Sequence, residues 1–264
     1  MKTLALAATL ALSAVSSAAQ VPDVPATLEI IPGWRDGDGR HVAGLHIQME
    51  EGWKTYWRVP GEGGIPPSFD WSRSTNLQGV AVNWPVPEVY YAYGLRSIGY
   101  TTELLLPIVI LPSDDAKDVS FRTRIDIGVC EEVCIPVTLN ASATLLAGSS
   151  PRDPALVAAL NNRPMSASAA GVRSVDCAIQ PISDGLELTA TVTMPRLGAD
   201  EETVIELADP TVWVSRPSDE RKRGAITTTS ELVAPSGQPF SLDRSDVRIT
   251  ILSPGKAVDI RGCN

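Results

Sequence analysis

Cys130 and Cys134, in the segment IDIGVCEEVCIPVTLN, are the residues whose type and spacing are best suited to chemistry. Two sulfurs this close can cycle between a dithiol and a disulfide, carrying two electrons. The parity of the flanking runs predicts where they point. Phe121, Thr123, Ile125, Ile127 and Val129 alternate with Arg122, Arg124 and Asp126, the period-2 pattern of a half-buried strand. Cys130 falls in register with the charged set. Beyond the pair, Ile135, Val137 and Leu139 form the apolar set, and Cys134 keeps step with Thr138 and Asn140. Both sulfurs are therefore expected to face away from the core, whereas structural cysteines are usually buried.

A disulfide needs Cα atoms about 4.4–6.8 Å apart, yet four extended residues span roughly 13 Å. The chain must turn tightly at Glu131, Glu132 and Val133. A bridge closing so small a ring is expected to be strained and exchangeable. No Lys, Arg or His neighbours the sulfurs in sequence, and Glu131 and Glu132 oppose thiolate formation. The pair suits a disulfide reduced by a lower-potential partner better than an attacking nucleophile.

Metal binding is the chief rival. Besides the pair, its ligands would be His41 and His46, the two histidines of the chain. Five residues apart, they face opposite sides of an uninterrupted strand, which argues against a shared site. Each reads as a strand-edge or surface residue. The sequence contains no GxSxG, HExxH, phosphate-cradling loop or thioredoxin-like CxxC, and no cofactor is implied.

Residues 1–19 carry Lys2, the apolar stretch LALAATLALSAV, and small residues at Ser17 and Ala19, the pattern of a cleaved secretory signal peptide. The stretch is too short for a membrane anchor, and no later run reaches the ~18 apolar residues of a span. A soluble, exported chain is expected, in a compartment where disulfides persist. The formal charge of −9 argues against nucleic acid or an anionic membrane surface as partner. An apolar content of 44% is that of a globular protein.

From Thr27 to Leu146, short β-branched and apolar runs separated by turn residues predict an all-β sandwich within residues 20–147. Residues 58–67 (RVPGEGGIPP) and 84–100 (WPVPEVYYAYGLRSIGY) read as loops. Residues 148–170 form a linker whose short helix starts at Asp153 and Pro154. Residues 171–264 resume the strand rhythm as a second, smaller β-domain, with a structural or partner-positioning role. There Cys177 keeps step with Val175 and Ile179 and points inward. Four cysteines allow three pairings; proximity and domain partition favour 130–134 with 177–263. A Cys177–Cys263 bridge would be structural, contributing roughly 4–5 kcal/mol by closing a long loop.

EGWKTYW, WPVPEVYYAYG, GYTTELLLPIVI and GVCEEVCIPVTL resemble, in order and spacing, the N-terminal periplasmic domain of the thiol:disulfide interchange protein DsbD and its relatives. The resemblance covers about residues 27–146. It implies an immunoglobulin-like β-sandwich in which Cys130 and Cys134 take electrons from a membrane-embedded thiol reductase. The pair would pass them to periplasmic thioredoxin-like or disulfide isomerase proteins, cytochrome c maturation factors or copper-resistance proteins. It also implies a cap loop at Tyr90, Tyr91, Ala92, Tyr93 and Gly94 that shields the sulfurs, and an aromatic near the site at Tyr56.

Three departures stand out: fewer residues between the cysteines, Ala92 where the cap's phenylalanine falls, and neither a transmembrane conduit nor a thioredoxin-like domain in this sequence. The expected function is a periplasmic thiol–disulfide relay, with the mixed disulfide on Cys134. The alternative is a non-catalytic periplasmic β-protein that binds a protein partner or copper and whose cysteines are structural.

Overall fold

Alternation of apolar and polar residues sets most of the strands seen in the computed structural model, which describes residues 24–92, 94–148 and 150–264. The expected signal peptide and Tyr93 lie outside the described residues. The strands of the first half are β1 (Ala26–Arg35), β2 (His41–Met49), β3 (Lys54–Gly61), β4 (Ser68–Asp70), β5 (Leu77–Val82), β6 (Glu88–Ala92), β7 (Leu95–Thr101), β8 (Glu103–Pro112), β9 (Val119–Cys130) and β10 (Cys134–Leu145). They build an immunoglobulin-like sandwich of two antiparallel sheets. One sheet runs β1-β2-β8-β5; the other runs β10-β9-β3-β7-β6, with β4 also on β9.

Leu45, Ile47, Leu106 and Ile108 from the first sheet are buried with Trp57, Ile98, Phe121 and Ile125 from the second. Each such side chain stabilises the fold by about 1.5–3 kcal/mol relative to exposure. The run ELLLPIVIL does not alternate because β8 is covered on its outer face too. Helix α1 (Pro154–Asn161) lays Leu156 there, fully buried with Trp34 and Val42. As expected, Asp153 caps the helix, accepting a hydrogen bond from the Leu156 amide at 2.9 Å.

Of the two segments read as loops, one is partly strand and the other largely so. Residues 58–61 complete β3, and residues 84–100 contain the β6–β7 hairpin. The physical reason is double burial. Arg96, Ser97, Ile98, Gly99 and Tyr100 are all buried, so β7 carries no period-2 signal.

Past α1 the chain forms β11 (Met165–Ser166), β12 (Ser174–Pro181), β13 (Leu186–Thr193), β14 (Glu202–Leu207), β15 (Trp213–Val214), β16 (Ser218–Lys222), β17 (Ala225–Val233), β18 (Val247–Ser253) and β19 (Lys256–Arg261). These make two more sheets, β11-β19-β18-β14 and β12-β13-β17-β15 with β16 on β17, around a core of their own. Cys177, on β12, is bonded to Cys263 just past β19, with Cα atoms 5.8 Å apart, so the bridge joins the two sheets.

The two sandwiches meet along β3, β7 and β14. Val204, Leu252 and Ala257 join the first core. The Arg58 guanidinium donates to both Glu206 carboxylate oxygens, at 2.8 and 2.7 Å, and stacks 3.8 Å from the Trp57 ring.

Candidate redox site

β9 and β10 form an unbroken antiparallel ladder from Val119↔Leu145 to Cys130↔Cys134. The cysteines are its last pair, directly opposite one another with Cα atoms 4.1 Å apart and bonded through their sulfurs. Glu131, Glu132 and Val133 make the expected turn, all exposed.

Exposure of the two sulfur-bearing residues differs, which corrects the expectation that both face solvent. Cys134 is exposed, but Cys130 is only 4% exposed. The parity reading places Cys130 on the outer face, yet that face is covered at the end of β9. The segment after β3 folds across it. A Cβ on Gly128 would lie 2.7 Å from the Ile65 Cβ, so the absent side chain makes room for Ile65. A Cβ on Gly64 would meet Pro60 at 2.4 Å and the Tyr56 ring at 2.6 Å. Both contacts are closer than real Cβ atoms come, so glycine at 64 lets the loop close on Tyr56.

Tyr56, buried on β3, reaches the sulfurs. Its phenol oxygen is 2.8 Å from Cys130 Sγ, 3.2 Å from Cys134 Sγ and 3.2 Å from the Gly63 carbonyl oxygen. Burial raises its pKa, so the hydroxyl keeps its proton at neutral pH. It can donate to a thiolate and accept from a thiol.

Lys54, two residues earlier, is the register partner of Cys130 across β3 and β9. The register thereby sets a lysine opposite Cys130, where the local sequence has no cationic residue. Its ammonium also sits 4.9 Å from the centre of the Tyr90 ring. Neither neighbour is visible near residue 130 in the sequence, because the strand pairing that delivers them spans more than seventy residues.

Of the three tyrosines assigned to a cap, the two that are described take different places. Tyr90 packs beside Tyr56 and Lys54; burial first, and then Tyr56 and Glu88, push its pKa well up. Tyr91 is 55% exposed and donates to the Glu202 carboxylate of the second sandwich. It does not lie against the sulfurs, where Tyr56 stands. Tyr93 is outside the described residues.

His41 is buried on β2, its Nε2 2.5 Å from the Pro32 carbonyl oxygen, and burial lowers its pKa. His46, on the same strand, pairs with Glu103 at 3.0 Å. Both sit in the sheet opposite the cysteines. Among the described residues no cluster of three His, Cys, Asp or Glu side chains could hold a metal, and no helix is long and apolar enough to cross a membrane.

Comparison with known proteins fits this geometry. The chain is similar in fold to the crystal structure of the N-terminal periplasmic domain of ScsB from Proteus mirabilis. The two are 21% identical, with a TM-score of 0.61 over 89% of this chain and 90% of that one. No curated protein sequence matches the chain. The family described as "Thiol:disulfide interchange protein DsbD, N-terminal" matches residues 25–145, the first sandwich with its cysteine ladder. Over those residues, the first sandwich is similar to the N-terminal domains of DsbD.

Proposed function

We propose that this protein is a periplasmic thiol–disulfide carrier, with Cys130 and Cys134 alternating between disulfide and dithiol. The observation that carries the reading is the asymmetry of the pair: Cys134 exposed, Cys130 covered and touched by the Tyr56 hydroxyl at 2.8 Å.

The asymmetry gives each sulfur a role. A donor thiolate attacks Cys134 Sγ, the sulfur–sulfur bond breaks, and Cys130 leaves as a thiolate. The Tyr56 hydroxyl donates to that departing sulfur, and Lys54 stands across the ladder from it. The donor's second thiolate then attacks the donor sulfur of the mixed disulfide and releases Cys134. Two electrons have entered, and two protons complete the dithiol. Passing them on reverses the sequence: Cys134 attacks an acceptor disulfide and Cys130 resolves it. The donor is a membrane-embedded thiol reductase and the acceptors are periplasmic thioredoxin-like or disulfide isomerase proteins, the partners the family resemblance implies. Exposed Ile65, Leu95 and Val133 around the pair provide apolar contact for such partners.

The test is equilibration of the protein in graded glutathione buffers, with free thiols trapped and located by mass spectrometry. The 130–134 bridge is expected to open well before 177–263. Equal resistance of the two bridges would overturn the carrier reading. Copper binding lost in Cys130→Ser, at potentials where the thiols never cycle, would favour a metal-binding protein instead.

A further inference from the structure

We propose that Glu202 and Arg216, both outside the segment that matches the DsbD family, are positioning residues of the redox site. They latch the β6–β7 hairpin and the 62–65 loop, and through them the cover over Cys130. The inference rests on the carrier reading above.

Glu202 opens β14 and grips the hairpin across a single rung. One carboxylate oxygen accepts from the Tyr91 hydroxyl; the other accepts from Arg96 at 3.2 Å. Tyr91 and Arg96 are register partners on β6 and β7, so one side chain holds both strands at the same level. Tyr91 is too exposed for apolar packing to fix it. Its polar contacts do that.

Arg216 lies between β15 and β16. It donates to the Tyr91 oxygen at 3.2 Å, stacks 5.5 Å from the ring centre, and pairs with Glu62 at 3.6 Å. Glu62 also accepts from the Arg96 backbone amide at 3.2 Å. The two gripping segments are tied within the second sandwich, where the Thr203 amide donates to Asp219 at 2.8 Å.

From the latch, contact runs to the sulfurs. The Glu62 and Gly63 amides donate to the Arg96 carbonyl oxygen at 2.9 and 3.4 Å, so hairpin and loop are in direct contact there. The Gly63 carbonyl faces the Tyr56 hydroxyl, which touches both sulfurs. Ile65, in the same loop, covers Gly128 beside the pair. Loosening Tyr91 therefore loosens the loop that shields Cys130. The exposed Arg216–Glu62 pair is weak by itself; the buried Arg96 makes Glu202 the stronger hold.

The experiment uses the full chain, reduced, and reads alkylation of Cys130 and Cys134 by iodoacetamide across pH. The plateau rate, reached when each thiol is ionised, reports access alone. Tyr91→Phe, Glu202→Ala and Arg216→Gln are each expected to raise the Cys130 plateau about fivefold relative to Cys134. The Tyr91→Phe/Glu202→Ala double variant should do less than the product of the single effects, because the two share one contact. A merely structural role would lower the melting temperature and leave the ratio unmoved.

Unchanged ratios in folded variants, or effects that multiply in the double variant, would overturn the latch. Should Glu202→Ala fail to fold, the surface substitutions Tyr91→Phe and Arg216→Gln decide alone. A wild-type pair that never opens ahead of 177–263 would instead overturn the carrier reading.

Discussion

The Tyr56 hydroxyl stands 2.8 Å from Cys130 Sγ, the buried partner of an exposed disulfide sulfur. The contact ties the chemistry of the pair to a strand that the sequence places far from it.

Tyr56→Phe removes that donor and keeps the ring. A hydrogen bond to a charged group is worth about 1.5–3 kcal/mol, so the Cys130 thiolate should form roughly ten- to a hundredfold less readily. The rate of opening of the 130–134 bridge by dithiothreitol reads this directly. An unchanged rate would remove Tyr56 from the chemistry.

Gly64→Ala should disturb the same contact from outside. The added Cβ collides with Pro60 and the Tyr56 ring, so the loop must lift. Alkylation of reduced Cys130 should rise severalfold while the rest of the fold persists. Circular dichroism and the alkylation ratio together check this; a wild-type ratio would mean that the loop absorbs the methyl elsewhere.

The two bridges should separate in stability. Cys177→Ser or Cys263→Ser opens a bridge spanning 86 residues and should cost about 4 kcal/mol. Cys130→Ser or Cys134→Ser should cost far less, since so short a loop restricts few unfolded conformations. Disulfide-transfer activity should follow the reverse order. Melting curves under oxidising conditions, with a transfer assay on each variant, decide it. Unstable 130–134 variants would invert the assignment.

Alkali should destabilise the protein from about pH 10. Burial raises the pKa values of Tyr56, Tyr90 and Tyr100 above the ordinary phenol value of 10.0. Between the unfolded and folded values the unfolded chain has lost protons that the folded one still holds, so unfolding free energy falls as pH rises. The stabilisation is fully present below pH 10 and disappears as pH climbs through the folded values. Urea titrations at pH 8, 10 and 11 measure it. Tyr90→Phe should flatten the fall. At neutral pH it should also add about 1 kcal/mol, because the Tyr90 hydroxyl is buried with no hydrogen-bond partner among the described residues. A steeper alkaline fall in that variant would contradict the argument.

Much of this site is legible in the sequence where burial is one-sided. The 119–145 hairpin is bare alternation, and parity alone puts Cys130 on the outer face of its strand. The turn at Glu131–Val133 follows from geometry alone. Parity does not report that Ile65 and Tyr56 cover that face at its end, because the loop carrying Ile65 is rich in Gly and Pro without periodicity and Tyr56 arrives on a strand distant in sequence. The β7 strand is hidden by burial on both sides, and Lys54 by strand pairing at long range. Glu202 and Arg216 lie further still, in a sandwich that reads as separate until the hydrogen bonds to Tyr91 and Arg96 are seen. Local pattern reveals strands and facing; it does not reveal which strands meet.

The cysteines are held opposite one another by an unbroken backbone ladder, so their proximity does not depend on the bond between them. Opening that bond leaves the framework standing. Each thiol then faces the other at a high effective concentration, far above that of any free thiol in solution. A partner caught on Cys134 would be expelled by Cys130 almost as soon as it bound. Covalent complexes with this protein should be fleeting intermediates, and they should become isolable species when Cys130 is replaced by serine.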